Sequence, residues 1–321
     1  KILIPVTEDS SGRTKELVAH PLCDQLKYVA RANEKAHMLY LQTLRTWMES
    51  SHSHPFLRAV FFYAEGGTIL DDLTRAGILD SLDSYDEKLM VCWRVHGFAD
   101  EEPACWKNRN LFASFADYYR DRISTRDIEF CMIEGKTGPA AVQHPKGIIP
   151  VNGNAKLISA NDTNGFTYRG RFSEKWQAAT VGYIASQKAH NALRWLASDQ
   201  GVREFSGNRI FLCWSPQGTA LPKPMRRLRG AETTALWKPS DYQEQLKGTL
   251  LSYRKDRQLH DTDSAILASF DAATTGRLSI TYYNELSLGT FLNRMQSWDA
   301  HCCWYAGKYG IQAPSLFQIV E

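Results

Sequence analysis

Between Pro21 and Glu49 apolar residues return at helical intervals, at Leu26, Val29, Ala30, Ala36, Leu41, Leu44 and Met48. A stripe of this kind has to be buried against another element, so the chain must build a core around long helices. The run Ser50-Ser51-His52-Ser53-His54-Pro55 ends the first helix, and a second, Phe56 to Glu65, stops at Gly66-Gly67, which supply a left-handed terminus. The period then changes to two: Leu89, Val91, Trp93 and Val95 alternate with Met90, Cys92, Arg94 and His96, as a half-buried strand requires. Strands are also expected at 1–7, 128–134, 156–160, 166–170, 209–214, 264–271 and 277–284, and helices at 111–122, 240–256 and from Leu288 onward. The strongest helix pattern runs from Ser173, a fitting N-cap followed by Glu174, to Asp199, with Gly201 just beyond. Strands set among long helices without regular alternation predict an α+β fold of mixed sheet elements, packed helices and irregular basic loops. The Pro- and Arg-rich loop 215–230 is the expected internal boundary, dividing a body at 1–230 from a segment at 231–321.

With 321 residues, 43% of them apolar, and 9 Trp, 14 Tyr and 14 Phe, the chain is far from the composition of a disordered protein. Its seven cysteines are odd in number and show no C-x-x-C spacing, which argues against a disulfide framework or zinc ribbon. Most read as small buried residues of a reducing cytosol, and a cytoplasmic location is expected. No signal peptide, membrane-length apolar run or lipidation motif occurs. The sequence opens at Lys1 inside an apparent strand, so a longer parent protein is expected.

The formal net charge of +3 says little, but its distribution says more. From 136 to 194 the cations are Lys136, Lys146, Lys156, Arg169, Arg171, Lys175, Lys188 and Arg194, against only Asp162 and Glu174. Phe166, Tyr168, Phe172, Trp176 and Tyr183 are interleaved with them. Cations neutralise phosphates and planar rings stack on bases, so the pattern suits a nucleic acid; a solvated basic face over an aromatic core is the plainer alternative. A second cluster, Lys223, Arg226, Arg227 and Arg229, lies on the Pro-rich loop and suits either a phosphate grip or a solubilising loop.

Within 157–172, LISANDTNGFTYRGRF, the residues Asn161, Asp162 and Thr163 are turn formers, and Gly165 and Gly170 permit close backbone approach. Arg169 and Arg171, two apart, share one face of an extended segment. The helix stretch GYIASQKAHNALRWL at 182–196 sets Gln187, His190, Asn191 and Arg194 on a polar side, with Ala189, Leu193 and Leu196 on the packing side. Together these two blocks resemble the signature region of the large subunit of the type I-C CRISPR surveillance complex, Cascade. LVAHPLCDQLKYVA at 17–30, HPKGIIP at 144–150, FLCWSP at 211–216 and RLSITYYNEL at 277–286 are similar to further family blocks in the same order.

That resemblance implies a non-catalytic subunit without a cofactor. It would work beside guide-RNA-bound backbone subunits, the subunit holding the 5′ handle, and the CRISPR RNA itself. It would inspect target double-stranded DNA for a short protospacer-adjacent motif (PAM), aid strand opening, steady the displaced strand and help recruit the helicase-nuclease, while guide pairing reads the sequence. It implies PAM contacts from the 9–14 loop, with Ser10 and Arg13, and from Asn161, Asp162 and Thr163. Phosphate contacts are implied for Lys156, Arg169, Arg171, Lys175 and Lys188. The charge pattern adds Lys136, Lys146, Arg226, Arg227 and Arg229. Such a surface also invites a viral anti-CRISPR protein that mimics DNA; a membrane partner is not expected. Family members are usually longer, so functions of their C-terminal bundle do not carry over.

Two other readings compete. Asp127 with Glu134-Gly135-Lys136 has the residue types of a metal-dependent nuclease, in which carboxylates hold Mg²⁺ and a lysine positions water. A purely structural scaffold is the second. His52 and His54 share a polar turn, His20 and His144 precede prolines, and His301-Cys302-Cys303 diverge around a helix; none forms a ligand set, and no phosphate-loop or nucleophile-elbow motif occurs.

Overall fold

A computed structural model describes residues 2–13, 16–79, 86–149, 154–159, 180–203, 208–218, 221, 244, 247–248, 250–252, 254–255, 260–272, 274, 276–307 and 310–314. Two compact units divide the chain: Lys1–Pro145 with Ala160–Ser186, and Lys146–Ser159 with Gln187–Glu321. Position 230, where the sequence places a boundary, lies outside the described residues. The fold is α+β, as expected.

The first unit carries α1 (Glu8–Gly12), β1 (Asp24–Gln25), α2 (Leu26–Val29), α3 (Glu34–Met48), α4 (Pro55–Glu65), α5 (Ile69–Arg75), β2 (Met90–Val91), α6 (Arg109–Ser124), β3 (Ile128–Cys131) and β4 (Lys136–Pro139). The expected helix from Pro21 to Glu49 is broken in two. Ala30 is extended at the end of α2, and the Asn33 side chain caps α3 by accepting from the Ala36 N–H at 3.1 Å. The expected strand at 1–7 is not formed by residues 2–7; Thr7 caps α1 and exchanges hydrogen bonds with Ser10. The second helix follows its sequence signals, with Pro55 opening α4 behind the capping side chain of His54, whereas the expected strand around Leu89–Val95 is formed only at Met90–Val91. Beneath these helices lies one apolar cluster that includes Leu22, Tyr40, Leu44, Trp47, Phe56 and Leu111.

A buried carboxylate ties the N-terminal segment to this body. Glu8 accepts from the backbone N–H groups of Val142 at 2.9 Å and Gln143 at 3.0 Å, and pairs with the Arg126 guanidinium. Its own N–H donates to the Tyr119 hydroxyl at 3.0 Å.

In the second unit, β5 (Val202–Arg203), β6 (Arg209–Trp214), β7 (Ser264–Asp271) and β8 (Ser279–Ser287) form an antiparallel sheet in that order. Among its helices are α7 (Tyr183–Asp199), within which the division between the units falls, and α8 (Leu288–His301); β9 (Trp304–Tyr305) and β10 (Ile311–Gln312) pair separately. Period-two patterning sends Ile210 and Leu212 into a cluster with Ile148, Ile149, Ala155, Ala197 and Leu278, and Cys213 into another with Leu288, Phe291 and Leu292. Behind α7, a Cβ at Gly201 would collide with the Ala197 carbonyl oxygen and the Ile210 side chain, so glycine is needed there for close packing.

Replacing Glu8 with Ala should lower the unfolding free energy by about 3 kcal/mol, because it strands Arg126 and two backbone donors. Denaturant melts of wild type and variant check this, and equal midpoints would show that the acid is not structurally important.

Candidate nucleic-acid interface

Two short segments of the second unit meet each other, and one meets Arg277 just ahead of β8, through isolated bridges whose positions are all cationic. Lys146 stands opposite Lys156 in an antiparallel bridge, and Lys156 stands beside Arg277 in a parallel one. The backbone fixes this register: Gly147 N–H donates to Ala155 O at 3.1 Å, Lys156 N–H to Gly276 O at 3.2 Å, and Leu278 N–H to Lys156 O at 2.9 Å. Ala155 and Leu157 on either side of Lys156, and Leu278 next to Arg277, pack into the core. Bridged residues share one face of a sheet, so the three cations form a row on the side away from that core.

Like charges in opposed positions cost about 0.2–1 kcal/mol per pair. Lys156 registers this: partial burial and then the charge of Lys146 hold its ammonium below the usual lysine range. Neither Lys156 nor Arg277 forms an ion pair with another described residue. A polyanion lying along the row would offset both the repulsion and the desolvation.

Helix α7 reaches the row through one side chain. Arg194 donates to the Lys146 carbonyl oxygen at 3.1 Å and to Asn191 Oδ1 at 3.1 Å, which ties the helix to the first member of the row. Lys188, Asn191 and Trp195, at i, i+3 and i+7, are exposed, the indole to 61%. The sequence reading of this helix is corrected at two positions. His190 is buried, in line with Leu193 and Ala197 on the packing side, while Ala189 faces out. Trp195 and Arg277 were not anticipated as site residues, although spacing from Lys188 and Asn191 puts the indole on their face.

The remaining expected residues have different placements. Ser10 is fully buried, donating to Thr7 O at 3.3 Å and hydrogen-bonded to His20 Nδ1 at 2.8 Å. Arg13 makes a two-pronged pair with the buried Asp24, at 2.7 and 2.5 Å, and donates to Val18 O. Both side chains thus hold the segment after α1 in shape. Lys136 is exposed on β4 and pairs with Glu134 at 3.5 Å. Asn161, Asp162, Thr163, Arg169, Arg171, Lys175, Arg226, Arg227 and Arg229 lie outside the described residues.

A family model described as CRISPR-associated protein (Cas_Csd1) matches residues 1–321. The chain belongs to this family. A search of the curated proteins finds no match. Membership makes this Csd1 protein a CRISPR-associated large subunit. Its suggested nuclease residues do not converge: β3 and β4 form a hairpin with Glu134 in the turn and Asp127 beyond the open end. At about 3.3 Å per residue, four strand residues hold the two carboxylates roughly 13 Å apart, too far to share an ion. His52 pairs with Asp121 at 2.8 Å, whereas His54 caps α4, so these two do not act together either. Among the described helices of the Csd1 chain, none is long and apolar enough to cross a membrane.

Burial, and then the Arg13 charge, hold His20 down at about 4, with Asp24 opposing. The unfolded chain, with an ordinary histidine near 6.5, therefore binds the proton first as pH falls. Stability that is intact above pH 6.5 should decline by about 3 kcal/mol on the way to pH 4. The His20→Gln variant should lose less over that window in denaturant melts, and parallel pH curves would contradict the assignment.

Proposed function

We propose that this Csd1 protein is the non-catalytic, nucleic-acid-binding large subunit of a type I-C CRISPR surveillance complex, acting in the cytoplasm. It reads the PAM of target double-stranded DNA, assists strand opening and steadies the displaced strand. It works beside the guide-bound backbone subunits, the CRISPR RNA and the subunit holding the 5′ handle, and helps recruit the helicase-nuclease. The observation that carries this reading is the bridged row Lys146, Lys156 and Arg277. A fold that sets three cations shoulder to shoulder has a use for a polyanion, and in this family that polyanion is nucleic acid.

The roles divide by chemistry. Lys146, Lys156, Arg277 and Lys188 supply phosphate contacts, which fix position and carry no sequence information. Trp195 offers a planar face for an unpaired base, as strand opening requires. Asn161, Asp162 and Thr163 are the proposed PAM readers, with Arg169, Arg171 and Lys175 nearby in sequence as further phosphate ligands, and Lys136, Arg226, Arg227 and Arg229 as additional cations. Ser10 and Arg13 act by shaping the 9–13 segment, a role that fits their internal hydrogen bonds. The same basic surface suits a DNA-mimicking inhibitor protein.

Reconstituted complex should retard PAM-bearing DNA more strongly than DNA with a scrambled PAM, and omitting this subunit should remove the difference. In complex carrying Lys156→Ala and Arg277→Ala, the slope of log affinity against log salt should shallow by about 2, roughly 0.9 per lost duplex phosphate contact. An unchanged slope in a folded variant removes the row from the interface.

Trp195→Ala should weaken binding to a single strand by about 1–3 kcal/mol while leaving duplex affinity nearly unchanged. Filter binding with both substrates checks this, and equal losses on the two would refute a stacking role.

A further inference from the structure

Three of the seven cysteines meet in the first unit. Strands β1 and β2 pair with Asp24 opposite Val91 and Gln25 opposite Met90. Continuing that antiparallel register by one residue sets Cys23 against Cys92. Opposed residues in such a pair have Cα atoms about 4.5 or 5.5 Å apart. Either separation falls within the range of roughly 4.4–6.8 Å that a disulfide spans. The two thiols lie close enough for each to shift the other's ionisation. Cys105 is close by, its N–H donating to Trp93 O at 3.1 Å. Among the described residues the thiols do not join other ligands in a metal-holding group, so a dithiol reaction suits them better than a zinc site.

We propose that Cys23 and Cys92 form a peroxide-responsive dithiol, in which Cys92 is oxidised first and Cys23 resolves it as a disulfide. The two thiols are unequal in access, since Cys23 is fully buried and Cys92 only half so. They are unequal in acidity as well. Interaction with the Cys23 thiol brings Cys92 down to about 7, whereas the same interaction and burial raise Cys23. Cys105, which burial lifts to about 12, is a spectator by position, since the β1–β2 register opposes Cys23 and not Cys105 to Cys92.

The Cys92 thiolate attacks one oxygen of hydrogen peroxide, the O–O bond breaks, and a sulfenic acid and hydroxide result. Cys23 then gives up its proton as its sulfur attacks the Cys92 sulfur; the S–O bond breaks and the second hydroxide leaves. Protons from the two thiols convert both hydroxides to water. Sulfur has lost two electrons and peroxide has gained them. The new bond would staple β1 to β2 beside Asp24, the acid that holds Arg13. In a reducing compartment it would be transient, reversed by a dithiol reductant. This inference does not depend on the nucleic-acid reading.

The test treats the full chain with a small excess of hydrogen peroxide, blocks free thiols by alkylation and digests without reductant. The expected product is a peptide pair linked through Cys23 and Cys92, lost on dithiothreitol treatment, with Cys105 alkylated. Cys92→Ser should abolish the link and Cys105→Ala should keep it. Cys23→Ala should leave a Cys92 sulfenic acid that dimedone captures. Should Cys23→Ala fail to fold, the other two variants decide the matter. Recovery of Cys23 and Cys92 both alkylated after peroxide, or a link made through Cys105, overturns the proposal.

Discussion

Backbone hydrogen bonding at Lys156 is the constraint on which the second unit's surface depends. Its N–H is held by Gly276 and its carbonyl by Leu278, while Ala155 next to it holds Gly147. The same bonds that seat Ile148, Ala155 and Leu278 in the core leave Lys146, Lys156 and Arg277 no freedom to move apart along the backbone. The repulsion that Lys156 feels from Lys146 is therefore built into the fold, and a ligand of opposite charge would relieve it. Arg194, reaching from α7 to the Lys146 carbonyl, anchors the helix that carries the exposed indole of Trp195.

The first unit uses its charges differently. Glu8 and Asp24 are buried acids, and each is satisfied by a guanidinium and by backbone donors. Buried pairs of this kind bring little net stability, but removing one partner is expensive, so they specify a shape more than they strengthen it. Here the shape specified is that of the N-terminal segment. Arg13, a cation that looks available in the sequence, is committed to Asp24, whereas Lys156, which looks no different, is not paired with any described acid.

Much of the fold was legible because periodicity reports burial. The limits of β6 and of the second long helix follow from alternation, from Pro55 and from the glycines behind it. The split between α2 and α3 was hidden, since apolar spacing continues through Ala30 and Ala36 while the Asn33 cap, a local hydrogen bond, decides the boundary. The site was legible as an excess of cations but not as a geometry. Arg277 lies more than a hundred residues from Lys156 in sequence, and only the parallel bridge between them makes it a neighbour. His190 carried the opposite difficulty: a polar residue type in a buried helical position, which composition assigns to the surface and packing does not.

A large subunit organised in this way separates gripping from reading: the bridged row offers a fixed, sequence-blind hold on phosphates, against which a short base-reading element can be set. The most direct measurement is an electron cryomicroscopy map of the assembled complex bound to PAM-bearing target. The account requires backbone phosphate oxygens within about 4 Å of Lys156 Nζ and of the Arg277 guanidinium. A map in which those two side chains face open solvent, or are covered by carboxylates of a neighbouring subunit, would contradict it.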